Sequence, residues 1–345
     1  MLATPLCATL GIEVPIFNAP TGGATAGAEL AAAVANAGGF GMLGLAGLPP
    51  PFIREQLQRT RALTRRPFGA NVILAQLQGG EIDVLLDEQV AVLSTHWGNP
   101  GSLVRDAHRR GIKVIPQVGS VEEATACAEA GVDAIVAQGV EAGGHVRGTV
   151  SLSVLVPAVV EAVRPIPVIA AGGIADGRGA AAALALGAEG VMMGTRFLAT
   201  PEGGITPAYK ERIVRSRAED TILTSLFDVG WPRAPHRVLR NRAVSEWEAA
   251  GRPESGRRPG EGEVVGRAAI AGHPIDIVRY SIVPPVPGYE GDLELACLYA
   301  GESCTLVKDI RPAGDIVRDV ARDAEAILRA AGVGEARGRD RKKPR

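Results

Sequence analysis

The sequence predicts an α/β fold, a (β/α)8 TIM barrel with an inserted, partly helical substrate or lid domain. Apolar runs rich in Val and Ile, ending in Gly, Asn or Pro, recur about every 20–30 residues. The segments between them carry helical periodicity. The runs are apolar along nearly their whole length, as strands are in a parallel sheet covered by helices. A doubly wound open sheet is the rival arrangement.

The candidate strands, in order, are 15–19, 40–45, 68–73, 90–95, 113–118, 133–137, 167–171 and 190–194. Eight is the number that closes such a barrel. Between them, 25–36 reads as an alanine-rich helix stopped by Gly38 and Gly39. Ser120, followed by Glu122 and Glu123, supplies an N-cap with acidic residues in the first turn, and Asp176 opens another helix in the same way. After Thr200 the alternation is lost, and the charged, turn-forming stretch 251–262 is not expected in a core. An amphipathic helix over 313–331 is placed to return to the barrel. The expected organisation is a barrel over 1–220, an inserted lid over 221–301, a returning segment over 302–335 and a disordered basic tail over 336–345.

Composition sets outer bounds on function. With 345 residues, 46% hydrophobic content and a net charge of -1, the chain can bury a large core and shows no attraction for nucleic acid. No apolar run approaches the roughly 20 residues that span a bilayer, and the first residues lack a basic segment leading into an apolar one. No membrane partner and a cytoplasmic location are expected; a homo-oligomer is left open. Cys7, Cys127, Cys297 and Cys304 show no CxxC spacing and read as reduced thiols. The five histidines have no HxxxH or HExxH spacing, so no metal site is expected.

Several short motifs carry chemistry. Gly39-Phe-Gly41-Met-Leu-Gly44 matches the GxGxxG string, but it follows a helix and lies in a strand, the reverse of a dinucleotide site. Gly172-Gly173 and Met192-Met193-Gly194-Thr195 follow the seventh and eighth strands, where barrel enzymes commonly hold a phosphate on exposed amides. Asn71 and Gln138 end the third and sixth strands, each offering a donor and an acceptor to a ring edge. Beyond the sixth strand, Glu141-Ala-Gly143-Gly144-His145 places an imidazole on a glycine turn at the end of the barrel that holds the chemistry. Glu141 reads as a brace for that turn or a participant in the reaction, and His108 as an exposed helix residue.

Taken in order, Asn18-Ala-Pro20, Gly69-Ala-Asn71, Gln138-Gly-Val-Glu-Ala-Gly-Gly-His145, Ala171-Gly-Gly-Ile-Ala-Asp176 and Met193-Gly-Thr-Arg196 resemble the FMN-dependent nitronate monooxygenases, formerly 2-nitropropane dioxygenases. The resemblance runs from the first strand to about Thr200, with a weaker continuation beyond. It implies FMN at the C-terminal mouth of the barrel and a substrate domain folded over it. Asn71 and Gln138 would contact the flavin. Gly143, Gly144, Gly172, Gly173, Met192, Met193, Gly194 and Thr195 would hold its ring or phosphate. His145 would be the catalytic base, with His96 in Ser94-Thr-His96-Trp97-Gly98 and Arg147 as substrate-binding candidates. The implied reaction oxidises alkyl nitronates, or nitroalkanes, with O2 to carbonyl compounds and nitrite. Flavin-type enoyl-acyl-carrier-protein reductases and NADH:quinone reductases share much of the pattern. An NAD(P)H-dependent reductase and a non-catalytic flavin-binding protein therefore stay open.

The chain departs from the family pattern at two places. Thr21 stands after Ala19-Pro20 where relatives often carry Met, and Arg147 is displaced by one residue, since Val146 intervenes after His145. In the lid, Trp231, His236, Tyr280 and Tyr289 could face substrate, with packing the plainer reading of each.

Overall fold

A computed structural model describes residues 2–332; the basic tail 336–345 lies outside them. The eight predicted runs form β1 (Ile16–Asn18), β2 (Gly41–Gly44), β3 (Phe68–Ile73), β4 (Val92–His96), β5 (Lys113–Val118), β6 (Ile135–Gln138), β8 (Val168–Ala171) and β9 (Gly190–Met193). A two-residue strand, β7 (Gly144–His145), lies between the sixth and seventh of these. The eight pair in parallel in the order β1-β9-β8-β6-β5-β4-β3-β2. A parallel bridge between Phe17 and Phe40 closes the ring. Asn18 reinforces that seam: its amide accepts from Met42 N at 2.9 Å and donates to Met42 O at 2.7 Å. The fold is a (β/α)8 barrel, and the open-sheet alternative falls away.

The barrel interior is packed, not hollow. Phe17, Met42, Val92, Ile115, Ile169 and Met192 meet inside it, and Leu6 and Leu10 of the helix Pro5–Leu10 join the same cluster. Gly69 keeps the layer from overfilling, since a Cβ there would lie 2.6 Å from Met42 Sδ. Outside, the apolar faces of the connecting helices bury against the other side of the strands. Gly41 lets β2 approach the helix Ala28–Asn36, where a Cβ would come within 2.0 Å of Ala31 O. The GxGxxG string is thus a packing motif. Ser120 accepts from Glu123 N, and Asp176 from Arg178 N and Gly179 N, capping their helices as expected. The helix Ala313–Ala330 returns to pack on Gly177–Ala185 and Ala28–Asn36. All four cysteines are buried and unpaired.

Residues 221–301 contain more strand than helix. β10 (Thr221–Thr224) and β11 (His236–Leu239) form an antiparallel sheet with β7, while β12 (Val264–Ile270), β13 (His273–Val278) and β14 (Glu290–Gly291) form another. Arg242–Ala249 is the α-helix of this region, with Asn241 as its cap. The stretch 251–262 corrects one expectation, because its Arg258 is buried. That charge is matched by Asp228 and Glu261, and its guanidinium lies 4.5 Å from the centre of the Tyr280 ring. Among the described residues, no helix is long and apolar enough to cross a membrane.

Candidate active site

The C-terminal ends of the barrel strands open into a cavity of about 300 Å³, bordered from the lid by Trp231, Ile270, Ile282, Val283, Pro284 and Val286. Asn71 and Gln138 reach it from β3 and β6, His96 from the end of β4, and Gly172, Gly173, Met192, Gly194 and Thr195 from beyond β8 and β9. Gly143, Gly144 and His145 complete the wall. Among the described residues, no lysine, arginine, aspartate or glutamate lines it.

Two of the expected residues are not part of this lining. Met192 points into the barrel and Met193 into the layer between strands and helices, because adjacent residues of a strand face opposite sides. Only Met192 borders the cavity. Arg147 turns outward, pairing with Glu123 at 2.6 Å and lying 5.3 Å from the centre of the Trp97 ring. The extra residue before it, Val146, is buried and takes the inward direction.

The glycine turn after β6 is fixed from several sides. Gln138 donates to His145 O at 3.0 Å and accepts from Arg147 N at 3.3 Å, so its amide holds the turn as well as bordering the cavity. Glu141 braces rather than faces the site: its carboxylate accepts from Leu152 N at 3.0 Å, at the start of the helix Leu152–Val163. Gly143 permits a close crossing, since a Cβ there would meet Gly301 N at 2.3 Å. Thr195 ties the same crossing to β9 by accepting from Gly301 N at 2.9 Å. His145 then pairs with His236 across β7 and β11.

The imidazole of His145 stands in an aromatic box. Its ring centre lies 4.3 Å from Trp231, 5.4 Å from His236, 5.6 Å from Tyr299 and 6.1 Å from Trp97. Burial drives its pKa down to about 3, with His236 and His96 adding to the effect. His145 is therefore a neutral imidazole. Burial, then Arg147, brings His96 to about 3, and Gln117 is its hydrogen-bonding neighbour at 3.2 Å. His236 is held to about 4 by burial, which outweighs its bond to Ala234 O. It also takes Phe227 N on Nε2, which makes it a packing residue of the lid.

The other lid candidates divide in the same way. Trp231 borders the cavity; Tyr280 is fully buried and donates to Pro259 O, and Tyr289 donates to Val265 O and Asp292 O. Sequence reasoning missed Tyr209 and Tyr299, which line the cavity, and Arg237, which donates to Val140 O. An arginine beside a histidine inside the apolar run 234–239 was the available signal for Arg237.

Two buried polar atoms on the cavity residues have no hydrogen-bond partner among the described residues: Thr21 Oγ1 and His145 Nε2. Leaving such groups unsatisfied costs about 1–3 kcal/mol each, so they point to a bound group. Gly172 and Gly173, at φ of 108° and 68°, form a turn in which backbone N–H groups can face an anion. An uncharged cavity lined by amide side chains and by a glycine turn fits a flat, hydrogen-bonding ring bearing a phosphate.

The nitronate monooxygenase family model matches residues 3–82 and 75–323. A Mycobacterium tuberculosis protein, (3aS,4S,5R,7aS)-5-hydroxy-7a-methyl-1-oxo-octahydro-1H-indene-4-carboxyl-CoA dehydrogenase, is 39% identical over 254 residues, 73% of this chain and 70% of that one. The solved structure of FabK from Thermotoga maritima is 36% identical, with a TM-score of 0.79, covering 98% of this chain and 99% of its own. A nitroalkane oxidase from Streptomyces ansochromogenes is 31% identical, with a TM-score of 0.76, covering 94% and 99%. The match along nearly the whole barrel and lid places this chain in the nitronate monooxygenase family, and it is an oxidoreductase.

Proposed function

We propose that the chain is an FMN-dependent oxidoreductase acting on carbon next to a planar, oxygen-bearing, electron-withdrawing group. Alkyl nitronates, and the nitroalkanes that are their neutral acids, are the leading substrates, oxidised with O2 to carbonyl compounds and nitrite. The observation that carries this reading is the unpartnered, buried Nε2 of His145 at an uncharged cavity on the C-terminal face of the barrel. The family match supports it.

Bound FMN supplies the electron transfer that no side chain here can perform. Asn71, Gln138 and Thr21 would hold its ring, and the turns at Gly172-Gly173 and Gly194-Thr195 its phosphate. His145 handles the substrate's proton and oxygen. In the tautomer with Nε2 unprotonated, it takes the proton from the carbon of a nitroalkane; in the other, it donates a hydrogen bond to a nitro oxygen. The lid residues Trp231, Ile282 and Val283 cover this position and hold the reacting carbon in an apolar environment.

A second reading, oxidation or reduction of an acyl-CoA thioester, is favoured by the 39% relative with that activity in its name. A cavity without a fixed cation also suits a neutral acyl group. There, Nε2–H of His145 would donate to the thioester carbonyl.

Anaerobic stopped-flow absorbance of the holoprotein separates the two. Loss of the oxidised-flavin band with ethylnitronate alone, then nitrite release when O2 is admitted, is the expected result. Bleaching by NADH, NADPH or a saturated acyl-CoA with no response to nitronate would replace the first reading by the second. His145→Ala should retain flavin and lower kcat/KM by about 10²–10⁴-fold.

A further inference from the structure

We propose that Trp231 is the specificity-determining wall of the cavity, a rigid indole that fixes the plane of the His145 imidazole and confines the substrate to a short chain at the reacting carbon. This rests on the reading that His145 faces the substrate.

Trp231 combines three properties. It borders the cavity, it is only 8% exposed, and its ring lies 4.3 Å from His145 at an interplanar angle of 32°. A tilted ring contact at that centre-to-centre distance leaves no space for a substrate chain between the two rings. Trp97, at the barrel loop after β4, meets Trp231 in an edge contact at 4.8 Å and stands 6.1 Å from His145, so the three rings form one cluster. The indole is therefore held by two adjacent ring contacts, one to the barrel loop and one to the histidine.

Its backbone is equally constrained. Trp231 N donates to Asp228 O at 3.0 Å, closing a tight turn. Val229 N donates to Tyr280 O, and Ile282 N to Val229 O, each at 3.0 Å, which zips this turn to the segment supplying Ile282 and Val283 to the cavity. Arg258 clamps the turn from behind, donating to Leu226 O and to Asp228 Oδ1, both at 2.7 Å. At Gly230, φ is 106° and a Cβ would lie 3.0 Å from Ile282 Cδ1, so the turn runs close against that segment in a conformation that favours glycine. These restraints make Trp231 a fixed wall, and they give the buried Arg258 of the 251–262 stretch a role outside the cavity.

The test uses primary amides from acetamide to octanamide. They present a planar, carbonyl-bearing head, carry chains of increasing length and cannot turn over. Binding to the holoenzyme is read from perturbation of the flavin absorbance, so it does not depend on the reaction assigned above. The wild type should lose at least about tenfold in affinity from butanamide to octanamide. Trp231→Ala should flatten that dependence, Trp231→Phe should restore most of it, and Arg258→Met should weaken it although residue 258 does not line the cavity. Trp231→Leu replaces the alanine variant if the latter does not fold. The same length dependence in Trp231→Ala or Trp231→Leu as in the wild type, or no length dependence or no binding in the wild type, overturns the proposal. If the wild type oxidises no nitronate while the amide profile changes as expected, the nitronate reading falls and the wall stands.

Discussion

Arg237 of the lid donates from its guanidinium to the carbonyl of Val140, on the glycine turn of the barrel, at 2.9 Å. The same side chain reaches Thr221 Oγ1 at 3.2 Å and Glu302 at 3.1 Å, so one buried cation joins the turn, β10 and the segment after 301. His145 lies five residues beyond the carbonyl it holds. The imidazole's position thus depends on a residue nearly a hundred positions away that does not line the cavity.

Removing that cation should loosen the turn. Arg237→Met leaves Val140 O and Glu302 without their partner and should cost about 2–3 kcal/mol, since Glu302 keeps some access to water. Arg237→Lys preserves the charge but not the fork and should recover only part. Urea unfolding of the holoprotein measures the loss. Turnover at pH 7 should fall in both variants, more in Arg237→Met.

Neighbouring glycines on the same turn should respond differently. Gly143→Ala forces a Cβ to within 2.3 Å of Gly301 N and 2.5 Å of Ala300 C, both backbone atoms that cannot swing aside. Gly144 has φ of 74° but open space around it, so Gly144→Ala costs only the left-handed conformation, about 1–2 kcal/mol. Gly143→Ala is therefore expected to lose flavin or fail to fold, while Gly144→Ala folds with flavin bound. Flavin-to-protein absorbance ratios after gel filtration distinguish them.

Three histidines make stability fall on the acid side of neutrality. His96, His145 and His236 are neutral in the fold, at about 3, 3 and 4, whereas each takes a proton near 6.5 once unfolded. Protons then bind preferentially to the unfolded chain, so stability is complete above 6.5 and declines as pH falls through that value toward the folded ones. Each histidine contributes a slope approaching about 1.4 kcal/mol per pH unit. Urea midpoints between pH 7 and 5 should fall steeply, and His96→Gln should flatten the slope by about one third. For the same reason kcat/KM should show no limb at 6.5 from His145; such a limb, lost in His145→Ala, would contradict its burial.

The barrel was legible because its strands are apolar throughout and broken by glycine and proline at regular intervals. That is a local pattern with one packing solution. Asn71, Gln138 and His145 were placed by the rule that strand ends form the mouth. The pairing of Met192 with Met193 as two ligand contacts ignored the two-residue period of a strand, which was itself readable. The lid was harder: Arg258 is buried because Asp228, 30 residues earlier, meets it, and no local pattern announces such a match. Nor does spacing along the chain reveal that the indole of Trp231 packs on an imidazole 86 positions before it.

Arg147 gives the last prediction, and it runs against the role that the motif suggested. An arginine two residues after the proposed base would be a natural anchor for a nitronate. Its guanidinium instead pairs with Glu123, which also accepts from Gly119 N at 2.9 Å, and the pair sits on the outer face of Trp97. A half-exposed ion pair of this kind contributes about 0–1 kcal/mol. Arg147→Gln should therefore change stability by no more than about 1 kcal/mol and KM for a short nitronate by less than about threefold. A rise in KM of tenfold or more with kcat preserved would mean that Arg147 swings inward when substrate binds. The charge-free cavity would then be a property of the empty site alone.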